Sequence, residues 1–137
     1  MSDQSERNKT LVLDYMAAFR TFDPDVYFPY LAEEPLYMAG MNIQRGRDAF
    51  KANTEAGRVL YPEPESATNE HLAVMAEGNW VAVLLKRRAR TNKVENYENL
   101  YGMFYEVVDG SIQTQVELMD FRVAQEQFDL SALRPPS

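Results

Sequence analysis

The sequence contains no cysteine, a single histidine, one tryptophan and only six glycines in 137 residues. Without cysteine there is no disulfide, no thiolate metal site and no thiol nucleophile, and cytoplasmic residence is the expectation. With His71 alone there is no histidine cluster to ligate a metal and no Ser/His/Asp set for nucleophilic catalysis. A lone histidine is more often a surface or satisfied core residue than a catalyst. The sparse glycines form no phosphate-cradling loop. Lys and Arg number 14 against 21 Asp and Glu, a formal charge of -7, which disfavours nucleic acid or an anionic membrane as partner. The segment Met1 to Lys9 is polar and lacks the apolar core of a secretion signal. No apolar run reaches the length needed to span a bilayer.

Aromatic residues, by contrast, are plentiful: 8 Tyr and 7 Phe. Such rings fill cores and also line apolar ligand pockets. The length fits one domain over residues 1–137, with frayed ends expected at about 1–5 and 134–137. Leu11, Tyr15, Ala18, Phe19 and Phe22 recur at helical spacing, which predicts an amphipathic helix over about residues 5–21. Asp23-Pro24 reads as a helix cap followed by a first-turn proline, opening a short helix that carries Val26, Tyr27, Tyr30 and Leu31. Short strands are expected at 36–39 and 41–44, and a third helix at about 47–56 with Gly57 as its stop. The second half reads as strands at 69–76, 80–90, 97–108 and 112–119. Asp109-Gly110 is a two-residue hairpin signal, and Asp120 caps a last helix bearing Val123, Ala124, Gln127 and Phe128. Helices followed by a meander of strands give an α+β class.

The hairpin predicts a register. If Val108 pairs with Ser111, Gly102 lies opposite Glu117, Leu100 opposite Met119 and Phe104 opposite Gln115, and opposed residues share a face. Glu98 then shares that face too. A glycine opposite a glutamate leaves space beside a carboxylate, as a pocket floor requires. Simple alternation argues the other way: it buries Ile112, Val116 and Leu118 and leaves Glu117 in water. On the neighbouring strand, Arg87 follows Val81, Val83 and Leu85 at strand period and so points inward, while Lys86, Arg88 and Arg90 point out. An inward Arg87 needs a carboxylate partner or an anionic ligand, and Glu98 and Glu117 are the obvious partners.

Three runs carry a resemblance. VLDYMAAFRTFDPDVYFPYLAEEPLY (residues 12–37) and RGRDAF (45–50) resemble the opening of SnoaL-like proteins of the nuclear transport factor 2-like superfamily. YENLYGMFYEVVDGSIQTQVELMD (97–120) resembles the same group, including limonene epoxide hydrolase and the phenazine-biosynthesis PhzA/B proteins. The resemblance implies a cone: a strongly curved antiparallel sheet with N-terminal helices packed in its concave face around an internal pocket, and a homodimer joined through the outer sheet face. It also implies that Glu117 faces the pocket, since it matches both the proton-donating acid of the epoxide hydrolase and the catalytic glutamate of the phenazine proteins. Tyr37 matches a water-orienting tyrosine, and Tyr15 the position of an oxyanion-donating tyrosine in ketosteroid isomerases. The departures are as informative. The asparagine two residues after the tyrosine is Ala39 here, and the aspartate of the arginine strand is missing. The ketosteroid isomerase base also maps near Ala39, and its second acid near Gly102. Water-activated epoxide opening and ketosteroid isomerase chemistry are therefore disfavoured.

The resulting expectation is a cofactor-independent and metal-independent acid/base enzyme of the isomerase, dehydratase or cyclase type. It would act on a small hydrophobic molecule. Glu117, Glu98 and Tyr37 are the candidate catalytic residues, and Tyr15, Arg87, Leu100, Gly102, Phe104 and Met119 the candidate substrate-binding ones. A carboxyl group in a dry pocket suits proton transfer. The competing expectations are a non-catalytic binder of an apolar metabolite and an interaction module whose function is a dimeric surface.

Overall fold

The computed structural model describes residues 3–133. The expected frayed ends at 1–2 and 134–137 lie outside the described residues, whereas residues 3–5 are already helical. Helix α1 (Asp3–Phe19) is followed by α2 (Pro24–Tyr27) and a 3-10 turn (Phe28–Tyr30), then strands β1 (Leu31–Ala39) and β2 (Asn42–Arg45) and helix α3 (Arg47–Leu60). The second half comprises β3 (Thr68–Glu77), β4 (Trp80–Ala89), β5 (Tyr97–Val108), β6 (Ser111–Met119) and α4 (Phe121–Gln127).

Local chemistry sets several boundaries. The Asp23 side chain accepts from the Asp25 amide at 3.0 Å and caps α2, satisfying one of the donors a helix start leaves open. Asp120 caps α4 in the same way, through the Val123 amide. Asp109 and Gly110 both have positive φ, 50° and 75°, as a type I′ hairpin requires. Gly57 does not stop α3. It lies inside the helix, where a Cβ would come within 2.8 Å of the Phe22 ring, so the residue serves close packing rather than termination.

The six strands form one curved, unclosed sheet in the order β2-β1-β6-β5-β4-β3. All neighbours are antiparallel except β1 and β6, which run parallel, so the sheet is not the wholly antiparallel one expected. Helices α1 and α3 cover its concave face. The core there is aromatic: Tyr15, Tyr27, Tyr97, Tyr101, Tyr105 and Phe50 are all fully buried. A ring such as Phe50 contributes roughly 2–3 kcal/mol of apolar transfer free energy. The run Trp80 to Leu85 has alternating faces, with Val81, Val83 and Leu85 in the core while Trp80 and Leu84 are exposed.

One irregularity governs the site. Val107 pairs with Ile112, but Glu106 pairs with Thr114, leaving Gln113 as an extra residue on β6. Because side chains alternate with period two, one inserted residue exchanges the faces of everything beyond it. The expected pairs are therefore corrected. Glu117 lies opposite Met103, Met119 opposite Tyr101 and Gln115 opposite Tyr105, while Gly102 meets Leu118 and Phe104 meets Val116.

Candidate active site

The bulge turns Gln115, Glu117 and Met119 toward the helices, onto the face that β5 lines with Tyr101, Met103 and Tyr105. Between that face and α1 and α3 lies a cavity of about 130 Å³. Its walls are mainly apolar and aromatic, including Phe19, Phe22, Leu60 and Phe128. Three of the lining side chains are acidic or basic: Glu117, Arg87 and Arg20.

Glu117 is held from behind. The Tyr37 hydroxyl donates to its Oε2 at 2.7 Å, and the Asn53 amide donates to the Tyr37 hydroxyl oxygen at 2.6 Å. Tyr37 is placed by β1, whose parallel pairing sets Ala39 beside Glu117 and Tyr37 beside Gln115. Asn53 comes from α3. The second carboxylate oxygen, Oε1, has no hydrogen-bond partner among the described residues. Burial, and then the Glu117 carboxylate, raise the Tyr37 pKa well above the usual tyrosine value. Tyr37 thus stays a neutral donor. It does not itself line the cavity.

Arg87 sits at another part of the wall. Its Nε donates to Asn69 Oδ1 at 2.9 Å, and its Nη1 lies 3.4 Å from the Tyr61 hydroxyl. The guanidinium is 4.7 Å from the Tyr101 ring centroid and 5.8 Å from that of Tyr61, within the range of cation–π attraction. Burial opposes its charge, while Tyr61 and Tyr101 favour it and leave the pKa raised. A chain of hydroxyls continues behind it. Tyr61 lies 3.4 Å from Tyr101, and Tyr101 lies 2.6 Å from Tyr97. Asn99 in turn donates to Tyr97 at 2.8 Å. Among the described residues no three His, Asp or Glu side chains gather as metal ligands, and no helix is long and apolar enough to cross a membrane.

No protein-family model matches the sequence, and no curated protein matches it either. Solved structures do match. A protein from Jannaschia sp. CCS1 assigned as a SnoaL-like polyketide cyclase superposes with a TM-score of 0.82 at 14% identity, covering 99% of this chain and 98% of that one. AclR from Streptomyces galilaeus, assigned as a hydroxylase, gives 0.72 at 17% identity over 97% and 85% of the two chains. An NTF2-like protein from Burkholderia xenovorans LB400 gives 0.71 at 16% identity over 91% and 98%. The chain has the nuclear transport factor 2-like fold. At these identities the likeness concerns architecture, and the chemistry rests on the side chains of this chain.

Within that fold the residues singled out by sequence separate into two groups. Glu117, Arg87 and Met119 line the cavity, and Tyr37 touches it through Glu117. Glu98, Leu100, Gly102 and Phe104 do not: on β5 they alternate with the buried Tyr97, Asn99, Tyr101, Met103 and Tyr105 and face outward, and the β6 bulge carries Glu117 to the side opposite them. Glu98 there pairs with Arg88 at 2.8 Å and Lys86 at 3.8 Å, and the Arg88 hydrogen bond lowers its pKa. Neither Glu98 nor Glu117 is an ion-pair partner of Arg87. Tyr15 is also corrected: it is fully buried among the rings of Phe19, Tyr27 and Tyr105, and it donates to Gln115 Oε1 at 2.5 Å instead of lining the cavity. The Gln115 Nε2 has no partner among the described residues. His71 is exposed on β3. Sequence reading missed Asn53, Asn69, Tyr61 and Tyr101. Asn69 had a usable signal, since it starts the strand beside the one bearing Arg87, whereas Asn53 lies on a helix that gives no register to β1.

Proposed function

We propose that this protein is a cofactor-independent acid/base enzyme that moves a proton on a small, largely apolar molecule held in the cavity. Glu117 is the catalytic residue, and Tyr37 and Asn53 are positioning residues that fix its carboxylate. The observation that carries this reading is that, among the described residues, Glu117 is the one acidic side chain lining the cavity, with Oε2 clamped by Tyr37 and Oε1 left without a hydrogen-bond partner. As a base, that carboxylate takes a proton from a carbon next to a carbonyl, and the electron pair moves to the carbonyl oxygen. Returning the proton to a different carbon completes an isomerisation. The assignment of structural neighbours as a polyketide cyclase and a hydroxylase is compatible with an enzyme of small-molecule metabolism but does not select a reaction.

Solvent deuterium exchange into cyclic ketones, followed by NMR, tests the proposal. The wild type is expected to catalyse exchange at the carbon beside the carbonyl, and Glu117→Gln to lose it by about 100-fold or more. Equal exchange in both proteins would remove Glu117 from the chemistry.

A non-catalytic binder is the second reading. It is favoured by the position of Glu98 on the outer face, which leaves the cavity without a second carboxyl group to divide acid and base roles. Binding of ligand by wild-type protein with no exchange on any of them supports it. We also propose self-association through the outer sheet face, where Leu84, Leu100, Phe104 and Leu118 are all exposed; sedimentation reads it directly.

A further inference from the structure

The molecule carries an excess of acid, at -7 overall, yet the charged side chains lining its cavity are two arginines and one glutamate. The local balance is reversed. Arg20 accounts for one cation. It is exposed, and its guanidinium donates to the Ala67 carbonyl. Arg87 is the more telling one. A guanidinium on an apolar wall is costly to leave without a counter-charge. Two arginines on the outer surface have theirs, Arg88 with Glu98 and Arg90 with Glu63 and Glu95, and others such as Arg45 and Arg122 are exposed to water instead. Arg87 has neither full exposure nor an ion pair. No ion pair among the described residues includes Arg87.

The groups in contact with Arg87 orient it without forming an ion pair, while the more distant Glu117 carboxylate also favours its charge. Asn69 occupies Nε, the Tyr61 hydroxyl stands at the limit of hydrogen-bond length from Nη1, and two tyrosine rings lie against the group. Nη2 has no hydrogen bond among the described residues. The edge formed by Nη1 and Nη2 therefore remains as a two-pronged donor, the geometry that suits a carboxylate.

The register places this donor away from Glu117. Arg87 pairs with Asn99, and four pairs further on Val83 aligns with Met103 and, across β5, with Glu117. The two backbones are thus two strands and four residues apart, roughly 10 Å by 13 Å on sheet spacings. Both side chains reach inward and shorten that gap. The cavity volume of about 130 Å³ is of the order that holds a single six-membered ring, since an engineered void of about 150 Å³ takes up benzene.

We propose that the natural ligand is a small carboxylate, with an apolar body about the size of one ring, whose carboxylate is clasped by Arg87 while the body is presented to Glu117. This rests on reading the cavity as a small-molecule site and names the class of molecule it takes. It holds whether that molecule is turned over or only bound.

Calorimetric titration of the full chain with benzoate and cyclohexanecarboxylate, against the neutral benzamide and cyclohexanecarboxamide, tests it. On wild-type protein each carboxylate is expected to bind at least about tenfold more tightly than its amide, as a charge-assisted pair provides. Arg87→Met, which keeps the bulk of the side chain, is expected to abolish that preference, and Arg87→Lys to retain part of it. The wild-type comparison needs no variant and stands even if Arg87→Met fails to fold. Equal affinity for acids and amides, an undiminished preference in a folded Arg87→Met, or no carboxylate binding below a Kd of about 10 mM would each overturn the proposal. Carboxylate preference without Glu117-dependent exchange sinks the catalytic reading and keeps this one. Exchange on neutral ketones without carboxylate preference does the reverse.

Discussion

In the proposed reading Tyr37 holds the Glu117 carboxylate through its hydroxyl, and that sets how its removal should be read. A hydrogen bond to a charged partner contributes about 1.5–3 kcal/mol, so Tyr37→Phe is expected to lower kcat by about 10- to 100-fold. KM should change little, because the phenol ring lies behind Glu117 and not against the ligand. A rise in KM with kcat unchanged would assign Tyr37 to binding instead. At this scale the sequence was partly legible. Glu117 and Tyr37 stood out because runs around them resemble a known group, and Arg87 because strand period turned it inward. Asn53 was hidden. The sequence reading sought an amide two residues after Tyr37 and met Ala39, whereas the amide reaches Tyr37 from α3, sixteen residues on. Contacts between elements of different period leave no local pattern to read.

Among the elements, most strands and helices were close to their expected bounds, because hydrophobic period and turn residues are local signals. The exceptions are β1, which starts at Leu31 where the second helix was expected to continue, and α3, which runs past Gly57 to Leu60. The face of β6 was not. Nothing in Ser111 to Met119 marks Gln113 as the residue that bulges, yet that residue decides that Glu117 rather than Leu118 enters the cavity. The expected partners of Glu117 were accordingly displaced by one, and Leu100, Gly102 and Phe104 moved to the opposite surface. There they join Leu84 and Leu118 in an apolar patch with Gly102 at its centre, paired with both leucines. Large exposed apolar patches mark interaction sites. Sedimentation is expected to find a dimer, and Leu84→Glu to convert it to monomer without loss of secondary structure. A monomeric wild type would refute self-association by this face.

For the molecule as a whole, the tyrosine-rich core makes a pH prediction. Burial pushes the Tyr97 pKa up to about 12 from its ordinary 10.0, with the neighbouring Tyr61 adding to the effect. Tyr15, Tyr37, Tyr101 and Tyr105 are also raised, burial again being the largest cause. An unfolded chain releases these protons near pH 10 while the folded one holds them. Stability is therefore intact below about pH 10 and falls as pH rises through the folded values. The Tm should be level to about pH 10 and then drop steeply, with tyrosinate absorbance rising in the same step as unfolding. Tyrosinate appearing gradually around pH 10 at constant Tm would contradict the burial of these hydroxyls.

The parallel pairing of β1 with β6 has a consequence for how the protein comes into being. β6 is the last strand among the described residues but occupies the middle of the sheet, between β1 and β5. Until it is in place, β2-β1 and β5-β4-β3 are separate fragments. The hydrogen bond from Tyr37 to Glu117 closes a loop of 80 residues, an entropically costly, non-local step that slows folding. On a ribosome this strand emerges after all its partners have waited for it, so the Glu117 carboxylate reaches the cavity only as the keystone is set. Cutting the chain before Ser111 would divide the sheet rather than trim its edge.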